Sequence, residues 1–191
     1  SPETDLNPWK RLGSQIVYQS SFVTLRKDKV KNPDGTEGSY TVLTPGNGRG
    51  SQIVPVTVKK ELCLVRIWRY PVSACLLEFP GGGIHEGEDP LEAAKRELRE
   101  ETGLESSRWT KLGSLSVLSS YVYVAPDIFL AEDVAETKQG RLAEENEAIG
   151  DMMKLPIDDV LTMIQNGKIT DSLTLSALLL YISHTGLLKQ S

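Results

Sequence analysis

The chain has 191 residues, 39% apolar and 25% charged, enough to bury one sizeable core without disulfide or metal staples; it reads as one domain with an added arm. A balance of 21 Lys and Arg against 26 Asp and Glu leaves a net charge of −5, which argues against a nucleic-acid binder. No apolar run approaches the roughly 18 residues of a membrane span, two histidines are too few for an imidazole-built zinc site, and Cys63 and Cys75 lie inside apolar runs rather than in a disulfide framework. The first residues, Ser1 to Leu6, are polar and acidic and carry no secretory signal, so a cytoplasmic protein is expected.

Taken in order, Gln15–Tyr18, Phe22–Leu25 and Tyr40–Leu43 are rich in β-branched and aromatic residues and predict strands, with Asn32-Pro33-Asp34-Gly35 as the turn of a hairpin. The cluster Pro45-Gly46-Asn47-Gly48-Arg49-Gly50 separates this sheet from the rest, dividing the chain into an N-terminal β arm (1–45) and a main domain (46–191). The domain opens with two apolar strands, Gln52–Val58 and Leu62–Trp68, then a short strand Leu76–Phe79 that runs into Pro80 and a glycine loop, Gly81-Gly82-Gly83. The clearest helix follows: Asp89 caps it, Pro90 fits its first turn, Glu92 suggests a capping box, and Gly103 suits the position after its end. Strands are expected at Leu115–Leu118 and Ile128–Ala131. Two helices close the chain, from near Pro156 to near Gly167 and from about Asp171 to His184. Mixed strands with a long central helix predict an α/β (α+β) sandwich.

At about 100° per residue, Glu97, Glu100 and Glu101 share one arc of the central helix, while Leu91, Ala94 and Leu98 form the adjacent packing face. Carboxylates at i, i+3 and i+4 repel one another. Arg96 relieves part of this by reaching Glu100 at i+4, and a hard divalent cation, Mg²⁺ or Mn²⁺, suits the remainder. The glycine loop lets backbone groups approach a ligand without Cβ atoms in the way. Together these features point to phosphate handling.

Residues 82–104 read Gly82-x5-Glu88-x7-Arg96-Glu97-Leu98-x-Glu100-Glu101-x-Gly103-Leu104 and fill every fixed position of the Nudix box, so the chain resembles the Nudix hydrolases. The resemblance implies an α/β/α sandwich with a mixed sheet, dependence on Mg²⁺ (with Mn²⁺ as substitute), and hydrolysis of a nucleoside diphosphate linked to a further group. Beyond the box, the arm with its Pro-Asp-Gly turn, Val65–Tyr70, Leu77–Gly82, Leu142–Glu147 and Asn166–Asp171 with Thr174 are similar to the ADP-ribose and nucleotide-sugar pyrophosphatases. That branch implies metal on Glu97, Glu100, Glu101 and the carbonyl of Gly81. It implies phosphate contacts from Arg69, with Arg66 as the alternative, and Glu78 beside the substrate. Glu147 or its neighbour Glu145 orients or deprotonates the attacking water, and Glu101 is counted among the catalytic groups.

The expected products are a nucleoside monophosphate and a sugar phosphate, and the resemblance implies a homodimer in which the arm contributes to the partner's site. One position departs from the ADP-ribose enzymes, which usually carry a proline about sixteen residues past the last box glycine. Here the segment reads Leu118-Ser119-Ser120-Tyr121. ADP-ribose, GDP-mannose and adenine dinucleotides all stay open as substrates. The rival readings are a triphosphate-sanitising hydrolase and a catalytically silent nucleotide-sensing module, while the acidic balance and the absence of a basic stripe argue against an mRNA-decapping enzyme.

Overall fold

The computed structural model describes residues 7–141 and 149–186, which form two units. The first holds the chain up to Arg49 together with Ser116–Ala125. Its three-stranded antiparallel sheet runs β1 (Lys10–Gln19), β2 (Val23–Lys31), β3 (Glu37–Pro45), with β2 in the middle. Asn32–Gly35 makes the expected hairpin turn, with Gly35 N–H donating to Asn32 O at 2.9 Å and Gly35 at φ 88°. The strands are longer than the apolar patterns predicted, because β1 and β2 carry polar residues to both ends of a thin sheet. The segment 116–125 returns to this unit: the Leu43 N–H donates to Tyr121 O and the Tyr123 N–H to Leu43 O, each at 2.8 Å, and the Tyr40 hydroxyl donates to Ser120 O at 2.6 Å.

The second unit is a mixed sheet of eight strands. They are β4 (Arg49–Thr57), β5 (Glu61–Arg69), β6 (Ala74–Glu78), β7 (Gly81–Gly83), β8 (Leu104–Glu105), β9 (Arg108–Ser114), β10 (Ala125–Glu136) and β11 (Ile149–Pro156). Their order is β11-β5-β4-β10-β8, with β6 on β5, β7 on β4 and β9 on β10. Among the described residues three α-helices cover the sheet: α1 (Pro90–Thr102), α2 (Ile157–Gln165) and α3 (Ser172–Thr185).

Side-chain alternation along the central strands divides the core in two. Ile53, Cys63, Phe129 and Ala131 face α1 and pack on Ala94 and Leu98. Val54, Leu62, Leu64, Ile128 and Leu130 face the opposite way and pack on Val160 of α2 and Ala177, Leu178 and Tyr181 of α3. The unit is therefore helix, sheet, helix in layers, the α/β/α sandwich expected.

Three local expectations are corrected. The strand expected at Leu115–Leu118 lies earlier, at β9; Leu118 turns the chain with φ 45°, and Tyr121 and Val122 donate back to its carbonyl. The glycine loop at 81–83 is a short strand, paired Gly50–Gly83, Ser51–Gly82 and Gln52–Gly81. Strand β11, paired antiparallel with β5, had no counterpart in the sequence reading.

Candidate active site

The site is built on the end of β6, the glycine strand β7 and the helix α1. The Asp89 carboxylate accepts the N–H groups of Leu91 and Glu92 at 2.9 and 3.3 Å, and Gly103 closes the helix in the left-handed region at φ 71°. The capping box is half formed, since the Glu92 carboxylate is engaged by Lys95 at 2.7 Å. These ends fix the rotation of α1, so that Leu98 enters the core while Glu97 and Glu101 lie buried at its rim, 8% and 5% exposed.

Backbone and carboxylates meet closely there. Glu101 Oε2 accepts the N–H of Gly81 at 3.0 Å. A Cβ built on Gly82 would stand 2.5–2.7 Å from the Glu97 carboxylate, so that carboxylate fills the space any other residue would need. Gly81 is more constrained, with the Ser51 carbonyl and Gln52 Cα occupying the place of its would-be Cβ. At Gly81 the clash would be with fixed backbone, so close approach requires glycine there; at Gly82 it would be with the end of the Glu97 side chain, which would have to move aside.

Arg96 organises the neighbouring charges. Its guanidinium grips Glu88 with Nε to Oε1 at 2.9 Å and Nη2 to Oε2 at 3.1 Å. Nη2 also donates to Gly83 O at 3.0 Å, and Nη1 serves both Glu97 (2.6 Å) and Glu100 (3.0 Å). Glu88 takes a further hydrogen bond from the His85 N–H at 2.8 Å. Arg96 foremost, against a smaller opposing effect of burial, holds the Glu88 carboxyl down at about 2, and the same contacts push Arg96 further above its ordinary value.

A second pair lies at the end of β5. Arg69 grips the buried Glu78 through Nε–Oε1 at 2.9 Å and Nη2–Oε2 at 2.7 Å, and the Glu78 bonds raise the arginine's proton affinity. Glu101 and Asp171 add weaker attractions to Arg69. Arg66 stands apart. It is exposed and its Nη2 meets Met153 Sδ at 3.7 Å. The strand between Glu78 and Gly81 is pinned at Phe79, whose N–H donates to the Thr174 hydroxyl (3.1 Å) and whose carbonyl accepts from Gln52 Nε2 (3.3 Å). Glu145 and Glu147 lie outside the described residues.

Among the described residues, no three Asp, Glu, His or Cys side chains converge on one point as a ready-made cage for a metal. The donors still suit a hard divalent cation: buried carboxylate oxygens crowd a backbone cradle that a single Cβ would fill.

Comparison with known proteins decides the family. Residues 47–172 match the NUDIX domain. The chain belongs to the Nudix family. Ahead of its Nudix domain, residues 9–43 match the nucleoside diphosphate sugar hydrolase N-terminal domain. This Nudix chain is 24% identical over 170 residues to the ADP-ribose pyrophosphatase of Bacillus subtilis, covering 88% of this chain and 90% of the relative. It is 28% identical over 170 residues to the ADP compounds hydrolase NudE of Escherichia coli, covering 88% and 89%. A crystal structure of an ADP compounds hydrolase superposes with a TM-score of 0.80 at 26% identity, over 93% of this chain and 96% of that one.

The Nudix box was legible as a pattern. What it did not disclose is the part played by β4, whose Ser51 and Gln52 back the glycine strand; two polar residues opening an otherwise apolar strand are the only sequence signal for them.

Proposed function

We propose that this Nudix hydrolase cleaves the pyrophosphate of an ADP-sugar-type nucleoside diphosphate, giving a nucleoside monophosphate and a sugar phosphate. The observation that carries the reading is the packing of Glu97 and Glu101, both buried, against the backbone of Gly81 and Gly82. Buried carboxylates are costly unless paired or serving a cation, and the single guanidinium of Arg96 offsets only part of the charge of Glu88, Glu97 and Glu100. Glu97, Glu100, Glu101 and the Gly81 carbonyl are the groups that would hold it, Mg²⁺ or in its place Mn²⁺. A bound divalent cation supplies charge neutralisation for the pyrophosphate and a lowered pKa for water.

The protein's own groups do the rest. Arg69 presents a planar fork that matches a phosphate as it matches the Glu78 carboxylate, so substrate exchanges one oxyanion pair for another while Glu78 stays beside the bound sugar nucleotide. Arg66, exposed on the same strand, is the alternative phosphate contact. Glu147 or Glu145 takes the proton of the attacking water. Arg96 keeps the box carboxylates separated and oriented. The relatives named for ADP-ribose and ADP compounds favour an adenine nucleotide. The arm, residues 1–45, serves dimerisation and completes the site of a second copy, while residues 46–191 carry the chemistry. No nucleic acid or membrane takes part, and the enzyme works in the cytoplasm.

The test is release of monophosphate product, read with a secondary phosphatase, across ADP-ribose, GDP-mannose, other nucleotide sugars, adenine dinucleotides and nucleoside triphosphates in Mg²⁺. An ADP-linked diphosphate is expected to dominate, with Glu101→Gln folded but slower by orders of magnitude. Activity confined to triphosphates would overturn the reading.

A further inference from the structure

Strand β4 is buried from Gly50 onward, yet it opens with two polar residues, Ser51 at 3% and Gln52 at 5% exposure. Among the described residues, Ser51 Oγ and Gln52 Oε1 are buried with no hydrogen-bond partner. Gln52 is anchored through its other amide atom on Phe79 O. Ser51 has no such anchor among the described residues, and a buried hydroxyl left unpaired there calls for a further partner such as an ordered water.

The direction of the Ser51 side chain is fixed twice over. Residues directly opposite in an antiparallel ladder share a face, with Cβ atoms about 4.5–5.5 Å apart, and Ser51 is opposite Gly82. The Gly82 Cβ direction runs into the Glu97 carboxylate. Alternation along β4 gives the same answer, because Ile53, two residues on, packs against Ala94 and Leu98 of α1. The hydroxyl therefore stands beside Glu97, in the layer between β4 and α1.

We propose that Ser51 is a positioning residue for the cation site: its hydroxyl hydrogen-bonds the hydration layer of the divalent cation held by Glu97. This rests on the reading of Glu97 as a cation ligand. A hydroxyl can accept from a water and donate to a carboxylate at once. Mg²⁺ keeps several of its waters when bound, and those waters need hydrogen-bond acceptors around the site. Groups one layer out from the ligands orient them and tune affinity.

The experiment is Mn²⁺ titration of the full chain followed by electron paramagnetic resonance of free Mn²⁺, on the unaltered protein, Ser51→Ala and Glu97→Gln, with thermal melts without metal. Ser51→Ala is expected to weaken Mn²⁺ binding about tenfold, the lower end of what outer partners contribute, while its metal-free Tm equals or exceeds that of the parent because an unpaired buried hydroxyl is gone. Unchanged Mn²⁺ affinity in Ser51→Ala, with Glu97→Gln weakened, overturns the proposal and leaves the carboxylate reading standing. A fall in metal-free Tm without a change in Mn²⁺ affinity overturns it in favour of a packing role. Unchanged affinity in Glu97→Gln removes the carboxylate reading, and the proposal with it.

Discussion

At the scale of single residues, the site is governed by where one guanidinium spends its five donors. Arg96 bonds three glutamates and a backbone carbonyl, so much of the carboxylate repulsion that the spacing suggested a metal must relieve is already relieved within the protein. On the proposed assignment, a cation would compete with Arg96 for oxygens of Glu97 and Glu100. Glu88 is the partner that holds Arg96 in place from the far side, and its carboxyl is depressed to about 2, chiefly by Arg96. The sign of the pH dependence follows. A carboxylate with a lowered folded-state pKa contributes stability that is present above its unfolded value, about 4.5, and is lost as pH falls toward 2. Glu88→Gln is therefore expected to flatten the acid limb of stability between about pH 4.5 and 2, while costing stability at neutral pH. Chemical denaturation at pH 7 and pH 3 measures both; an unchanged difference between the two pH values in the variant would show that Glu88 is not the group responsible.

At the scale of elements, what was legible in the sequence is what the local chain dictates, and what was missed is set by neighbours. Helix α1 could be bounded to the residue because its start and stop are short-range chemistry: Asp89 on two N–H groups, and Gly103 at φ 71°. The three box glutamates followed from helical spacing alone. By contrast, β9 pairs only with β10, and β11 ends the strand order on β5. Edge strands need no continuous apolar face, and Arg108–Ser114 and Ile149–Pro156 show none. The glycine strand β7 exists through its register with β4 rather than through its own composition, and the same register sets which way the Ser51 side chain of β4 faces. Because α1 is placed by its caps, Asp89→Ala is expected to cost about 1 kcal/mol. The larger consequence lies in turnover, because the first turn leads to the carboxylates one and two turns on. Urea unfolding combined with steady-state kinetics checks it, and a stability loss with kcat unchanged would mean that packing of Leu98 alone positions the helix.

At the scale of the whole molecule, the arm poses a physical problem that its own unit does not solve. Every residue of β1 is exposed, including Leu12, Ile16, Val17 and Tyr18, with Ile16 at 56% and Tyr18 at 57%. β1 is also an edge, ten residues long, with one side of its backbone unpaired within the sheet. Proteins normally blunt such edges with charge, proline or a covering element. Here Lys10 and Arg11 stand at one end only, and beyond the other end Phe22 is 82% exposed. An apolar, unpaired edge of this length is a surface for association, and a second copy of the same chain is the partner our proposal assigns to it, through an isologous contact. Ile16→Lys combined with Tyr18→Lys is then expected to shift the sedimentation coefficient from dimer to monomer at micromolar concentration. If the arm also completes the partner's site, kcat/KM falls along with the dimer population and recovers as protein concentration is raised. A variant that stays dimeric, or one that becomes monomeric with full activity, separates the two roles: the first removes the arm from the interface, the second removes it from the site.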